Sequence, residues 1–337
     1  MRSHLSRPST LLPVFLLWLP VVASAQEQGD WHSLETIRDG YARNREAFQS
    51  FTCRFNVFEG KADTVEKALE GAVTIDTPRT GLWIVDGAKE RYELSCDAPI
   101  VVDLPMGSGF GGVSCRPEAI LKNGKVRMSY SAGRADVMRA SYPHGSKISL
   151  TPLAMGVMGA NENRNPAHII KDCRDGKRYC RFEGVEQLGE KRVHVFTNRY
   201  FGRTKEFEKW FLDPDQGFLP IQRTCYENTT IYDKLWITDV HRTTKGHYFP
   251  ARSVRVWHLD NLGPYRVRII ELVELDEESP PEDSFFIDLP AGAGVLNPSD
   301  GRAFIKLEAA QRIRIADLPG LLKRCEQARK KSVAKHQ

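Results

Sequence analysis

Little in this sequence announces a catalyst. It contains no GxSxG, no HExxH and no CxxC, so neither a nucleophile elbow nor a closely spaced zinc site is written into it. A hydrolase needs a nucleophile with a base in hydrogen-bond reach and an orienting group behind it. His194, His241, His247 and His258 lie on or beside predicted strands without such neighbours. No catalytic residue, metal ligand or cofactor is assigned, and the chain is expected not to be an enzyme. Gly107, Gly109 and Gly112 do spell GxGxxG, but a dinucleotide site needs a strand before that pattern and a helix opening on it. Here Asp103-Leu104-Pro105 precedes and Cys115-Arg116-Pro117 follows, which is the setting of a loop.

A strong charge of one sign is also missing. The formal net charge is +5, and it falls to +3 without Arg2 and Arg7. Such a chain has no global field of the kind nucleic-acid binding needs. Long apolar runs are scarce as well. The longest, Leu11 to Val22, is shorter than the ~20 residues that span a bilayer. With Arg2 and Arg7 before it and Ala23-Ser24-Ala25 after it, it has the form of a cleaved export signal over residues 1–25. An uncleaved anchor is the alternative reading. The expected destination is the periplasm or the exterior, with no transmembrane helix in the mature chain. That destination permits disulfides, and seven cysteines are present, at 53, 96, 115, 173, 180, 225 and 325. The odd count leaves pairing open: Cys173 with Cys180 and Cys96 with Cys115 are the close pairs, and buried free thiols are the other outcome.

What the sequence does have is strands. A first helix is expected from Leu34, Ile37, Tyr41 and Phe48 at helical spacing, with Asp30 or Ser33 as N-cap. The period then changes to two: Phe51, Cys53, Phe55 and Val57 alternate with Thr52, Arg54 and Asn56. A second strand is expected through Leu69, Val73 and Ile75. A third is expected over Leu82 to Val85, returning past Asp86-Gly87 to Cys96. From Tyr179 onward the chain reads as a meander. Its clearest hairpin is Lys205 to Thr224, where Asp213-Pro214-Asp215-Gln216-Gly217 supplies a fixed φ, a side-chain acceptor and a glycine. Strands over Lys234 to Arg242, Tyr248 to His258 and Tyr265 to Leu275 follow. Leu150 to Met158 reads either as a short buried helix or as a mobile lid. Arg302 to Gln337 reads as a basic helical tail, solvated by default, with a weak anionic membrane contact as the sharper option.

The order of motifs is similar to a known family. Lys209-Trp210-Phe211-Leu212-Asp213, Gly217-Phe218-Leu219-Pro220, Gly246-His247-Tyr248-Phe249-Pro250-Ala251 and Pro281-Glu282-Asp283-Ser284-Phe285-Phe286 before Leu289-Pro290-Ala291-Gly292 resemble the outer-membrane lipoprotein-sorting (LolA/LolB-like) superfamily over roughly residues 31–296. The resemblance implies a mainly β (α+β) fold: a curved antiparallel sheet forming an incomplete barrel, with an N-terminal helix and a short helical lid. The domain would span 26–300, followed by the tail at 301–337. The resemblance also implies that the concave apolar face binds a lipid or lipoprotein acyl chain. Phe207, Phe211, Leu235, Ile237, Val254, Val256, Val267 and Ile269 are then the expected lining, with Leu153, Met155 and Met158 as lid. The alternative on the same scaffold is a non-catalytic envelope sensor or assembly module that binds a protein partner through an edge strand or the basic tail.

Overall fold

The computed structural model describes residues 19–96, 118–131, 133–139, 151–153, 165–200, 206–257, 265–297 and 304–334. The chain opens with α1 (Leu19–Glu46), β1 (Ser50–Ala62), α2 (Val65–Glu70), β2 (Thr74–Asp86) and β3 (Lys89–Cys96). Then come β4 (Glu118–Asn123), β5 (Val126–Ser131), β6 (Arg134–Arg139) and α3 (Pro166–Arg174). A long meander follows: β7 (Arg178–Leu188), β8 (Lys191–Tyr200), β9 (Glu206–Asp213), β10 (Leu219–Glu227), β11 (Thr230–Arg242), β12 (Tyr248–Trp257) and β13 (Tyr265–Asp276). The C-terminal part adds β14 (Phe286–Leu289), β15 (Gly294–Leu296), β16 (Phe304–Lys306), β17 (Gln311–Arg314) and α4 (Leu318–Ala334).

Fifteen strands form one sheet in the order β16-β15-β6-β5-β4-β3-β2-β1-β13-β12-β11-β10-β9-β8-β7. The order is linear, so the curved sheet is not closed into a barrel. All its pairings are antiparallel except β15 with β6. Two meanders meet at the seam between β1 and β13, which pair from Thr52↔Asp276 to Ala62↔Tyr265. The fold class expected from sequence, mainly β with an open curved sheet and an N-terminal helix, is the one observed.

Side chains alternate across each strand, so the sheet has two faces. One carries α1. Leu34, Ile37 and Tyr41 of that helix are buried with Ile169 and Ile170 of α3 over Phe196, Trp210, Leu212 and Leu235. Large apolar side chains buried in this way contribute ~1.5–3 kcal/mol each. The other face carries α2 and α4, and will be called the α4 face. There Leu318, Leu321 and Leu322 of α4 bury Leu121, Met128 and Val137 together with Phe285 and Ile287.

The Asp213–Gly217 turn forms as expected and also fixes α1. Asp213 accepts a bond from the Asp215 N–H at 3.0 Å, and Pro214–Gln216 makes a single 3-10 turn. Gly217 and Phe218 then both take positive φ, 63° and 57°. For Phe218 that conformation costs ~1–2 kcal/mol. Its ring lies against Gly40 of α1, where any Cβ would collide with it. Four residues on, Asn44 pins α1 to β12: its Nδ2 donates to the Tyr248 carbonyl at 2.8 Å, and its Oδ1 accepts from the Tyr248 N–H at 2.9 Å.

Several expectations are corrected. Leu69 lies in α2 rather than in a strand, because Thr64 caps that helix by accepting from the Lys67 N–H at 3.2 Å and Gly71 ends it at φ 81°. The strand begins only at Thr74, and it absorbs the one expected at Leu82. The segment after residue 301 is not a solvated tail: β16 pairs with β15, β17 with β14, and α4 buries three leucines, while Lys323 and Arg324 remain exposed. Cys173 and Cys180 form a disulfide that fastens α3 to β7. Cys53, Cys225 and Cys325 are buried thiols. The GxGxxG loop lies outside the described residues. So does the expected lid, apart from residues 151–153.

Candidate functional site

Strand register determines which side chains meet. Directly opposed residues share a face, and one row can be followed across eight strands of the α1 face. It runs Glu59 (β1), Arg268 (β13), Arg255 (β12), Leu235 (β11), Arg223 (β10), Trp210 (β9), Phe196 (β8) and Phe182 (β7). A neighbouring row holds Trp257, Asp233, Cys225, Glu208 and Asn198. Arg79 of β2 lies opposite Val57, two residues along β1 from Glu59. The two rows and Arg79 together bring four guanidiniums and three carboxylates onto this face.

The bonds join these groups into two linked knots. Glu59 holds Arg79 and Arg268, with Arg268 Nε 2.7 Å from its Oε1. Asp233 is shared: Arg255 Nε approaches its carboxylate oxygens at 3.2 and 3.0 Å, and Arg223 Nη2 reaches Oδ2 at 3.2 Å. Glu208 lies 3.9 Å from Arg223 Nη1. Between the knots stands Trp257, with the Arg255 guanidinium 5.0 Å and that of Arg268 5.3 Å from its ring centre. Arg223 lies 5.6 Å from the Trp210 ring, whose Nε1 donates to Asn198 at 3.0 Å.

Burial sets the electrostatics. Taking a charged group out of water costs several kcal/mol, and only close opposite charge returns it. Burial works against the charge of Asp233, but Arg223 and Arg255 outweigh it and hold this carboxyl below the usual range. Burial also works against Arg223, where Cys225, Asp233 and Glu208 outweigh it and raise its pKa. For Arg268, burial and then the facing Arg255 push the pKa down, and Tyr92 and Asp233 oppose them. The Cys225 thiol is pushed up to about 12, chiefly by burial. Such a thiol stays protonated and is a poor nucleophile.

The residues expected to line one cavity do not share one face. Phe211, Val254 and Ile269 fall in a single row, but on the α4 face, with Val256 and Val267 in the row beside it. Val254, Val256, Val267 and Ile269 pack under α2 with Ala62 and Ala68. Phe211 packs with Val193, Val195 and Ile221, and Phe207 stacks on Tyr226 at 4.4 Å. Leu235 and Ile237 lie on the α1 face beneath α1 and α3. Leu153 joins a separate cluster with Phe48, Phe55 and Trp83. Met155 and Met158 lie outside the described residues.

The charged row is not legible in the sequence. Arginines alternating with apolar residues resemble a solvated strand face, and only cross-strand register shows that these are covered. Arg255 and Trp257, two apart on β12, were the available signal. Among the described residues there is no group of three side chains placed to hold a metal ion, and no helix is long and apolar enough to cross a membrane.

The arrangement is that of an open-sheet protein with a buried ionic row. No family model and no curated protein matches the chain. Solved structures do. An outer membrane lipoprotein-sorting protein domain from Vibrio parahaemolyticus aligns at 12% identity and TM-score 0.45, over 75% of this chain and 95% of that one. A DUF1329 family protein from Desulfovibrio piger aligns at 11% identity and TM-score 0.45, over 75% and 96%. MucB aligns at 10% identity and TM-score 0.27, over 73% and 61%.

Proposed function

We propose that this chain is a non-catalytic binding protein of the cell envelope, exported to the periplasm, that holds an amphiphile such as a lipid or a lipoprotein acyl chain on the α1 face of its open sheet. One observation supports the reading. The α1 face is apolar at both ends, around Phe196, Trp210 and Leu235 on one side and Phe55, Trp83 and Leu94 on the other, and ionic between them. That pattern, buried beneath α1 and α3 at the Trp210 end, matches a molecule with an apolar tail and a polar head. Shielding a tail recovers ~0.8 kcal/mol per buried CH₂, so binding needs no chemistry. The six expected lining residues of the α4 face take no part in this reading, and Leu235 and Ile237 do.

Native mass spectrometry of protein purified from the envelope tests it. A co-purified lipid, or uptake of a fluorescent fatty acid by the delipidated protein, is the expected result. Absence of both would reject the reading. A protein partner is the second reading, supported by β7, an edge strand with Tyr179 53% and Val185 45% exposed. An exposed edge is a template for an added strand. Crosslinking in cells should then give a protein adduct through β7 that survives Leu235→Ser.

A further inference from the structure

We propose that the guanidinium row of the α1 face is an anion-binding site, and that it takes the phosphate or carboxylate head of the amphiphile. The identity of the tail rests on the reading above; the head rests on separate observations. Arg79, Arg223, Arg255 and Arg268 share the carboxylates of Glu59, Glu208 and Asp233. Arg223 is 2% exposed and Arg79 9%, and the Nε of each has no hydrogen-bond partner among the described residues. These are strong donors in a place where a missing acceptor is costly.

The geometry favours one kind of acceptor. A guanidinium is a planar fork that matches the oxygens of a carboxylate or phosphate. Arg255 and Arg268 face each other directly across β12 and β13, 5.0 and 5.3 Å from the Trp257 ring centre. Like charges so placed repel, and an additional anion relieves both. A cleft of about 190 Å³ beside α2, lined by Val65, Ile231, Asp233, Lys234, Val256 and Tyr265, has in its wall the residue whose carboxylate Arg223 and Arg255 share, while Val65 and Val256 belong to the α4 face. Along the same row, Leu235, Trp210 and Phe196 continue the surface as apolar ground. Apolar side chains, covered by α1 and α3, therefore adjoin the arginines along the row.

Titration calorimetry on the delipidated protein tests this with three probes: dodecyl phosphate, dodecyl maltoside and inorganic phosphate. Dodecyl phosphate is expected to bind at least ten times more tightly than dodecyl maltoside. That preference should shrink several-fold in Arg223→Lys and Arg255→Lys, which keep the charge and lose the fork. Glu208→Gln, at a partly exposed acid, should enlarge it. Equal binding of the two detergents would overturn the anion site and leave the amphiphile reading intact. So would a preference untouched by all three variants, since the anion would then sit elsewhere. Should neither detergent bind while inorganic phosphate does, the anion site stands with a free anion as its ligand and the amphiphile reading fails. Binding of none of the three overturns both.

Discussion

Two regions of the same sheet are buried to similar depth by opposite chemistries. Under α4, strands β4 to β6 meet the helix through Leu121, Met128, Val137, Leu318 and Leu321, an apolar contact. On the other face, β9 to β13 and β1 bury Arg223, Arg268 and Asp233 with 2–5% exposure. The first region gains stability from each methylene it covers. The second gains little from burial itself, because desolvation offsets most of the attraction between its charges. An apolar core would serve stability as well.

The comparison can be broken in several ways. The largest effect is expected from Asp233→Ala, which strands Arg223 and Arg255 without their shared carboxylate and should cost ~3–5 kcal/mol in urea unfolding. In the apolar region, Leu121→Ala should cost ~2–5 kcal/mol through a cavity.

Acid should separate the two regions more cleanly. Asp233 has a folded pKa below its unfolded value, so its contribution is complete above the ordinary carboxylate range of ~3.9 and is lost as pH falls through the lower folded value. Urea midpoints measured from pH 6 to pH 3 should drop less steeply in Asp233→Asn than in the wild type. Leu121→Ala should keep the wild-type slope. A common slope in all three proteins would show that the row does not govern acid stability.

A smaller loss, ~2 kcal/mol, is expected on reducing Cys173–Cys180, since it closes a short loop. It should loosen α3 and leave hydrogen exchange under α4 unchanged. The smallest effect concerns Cys225. A neighbouring arginine usually activates a thiol, yet burial pushes this one up to about 12. It should resist alkylation at pH 8 until the protein unfolds, as mass mapping would reveal.

How much of this is legible in the sequence depends on how far apart the causes lie. The turn at Asp213–Gly217 is readable because its acceptor, its proline and its glycine are neighbours. The helix α3 is equally local: Asn165 accepts from the His168 N–H at 2.8 Å and Pro166 takes the first turn. The run Asn161-Glu162-Asn163-Arg164-Asn165-Pro166 reads instead as a helix breaker, which hides the cap. The two faces of β13 are also correctly separable, with Val267 and Ile269 opposite Arg268. That Arg268 is buried cannot be read locally, because its partner Glu59 lies 209 residues away. The same holds for the expected lining. Phe211 and Leu235 are both apolar strand residues, and only the registers of β9, β10 and β11 place them on opposite faces.

The seam between β1 and β13 has a consequence for how the chain acquires its structure. Every other long strand pairing within the two meanders joins neighbours in sequence, but β1 must wait for residues 265 to 276. Contacts of such separation are slow to form, since their loop entropy is spent before they return any stability. Until β13 arrives, β1 has an open edge, and Glu59 faces Arg79 without Arg268. A chain emerging from its N-terminus should therefore stay unfinished until most of its length is available. A ribosome-bound or translocating chain cut short before Tyr265 should remain open to proteases at β1, long after its β2–β3 hairpin has formed.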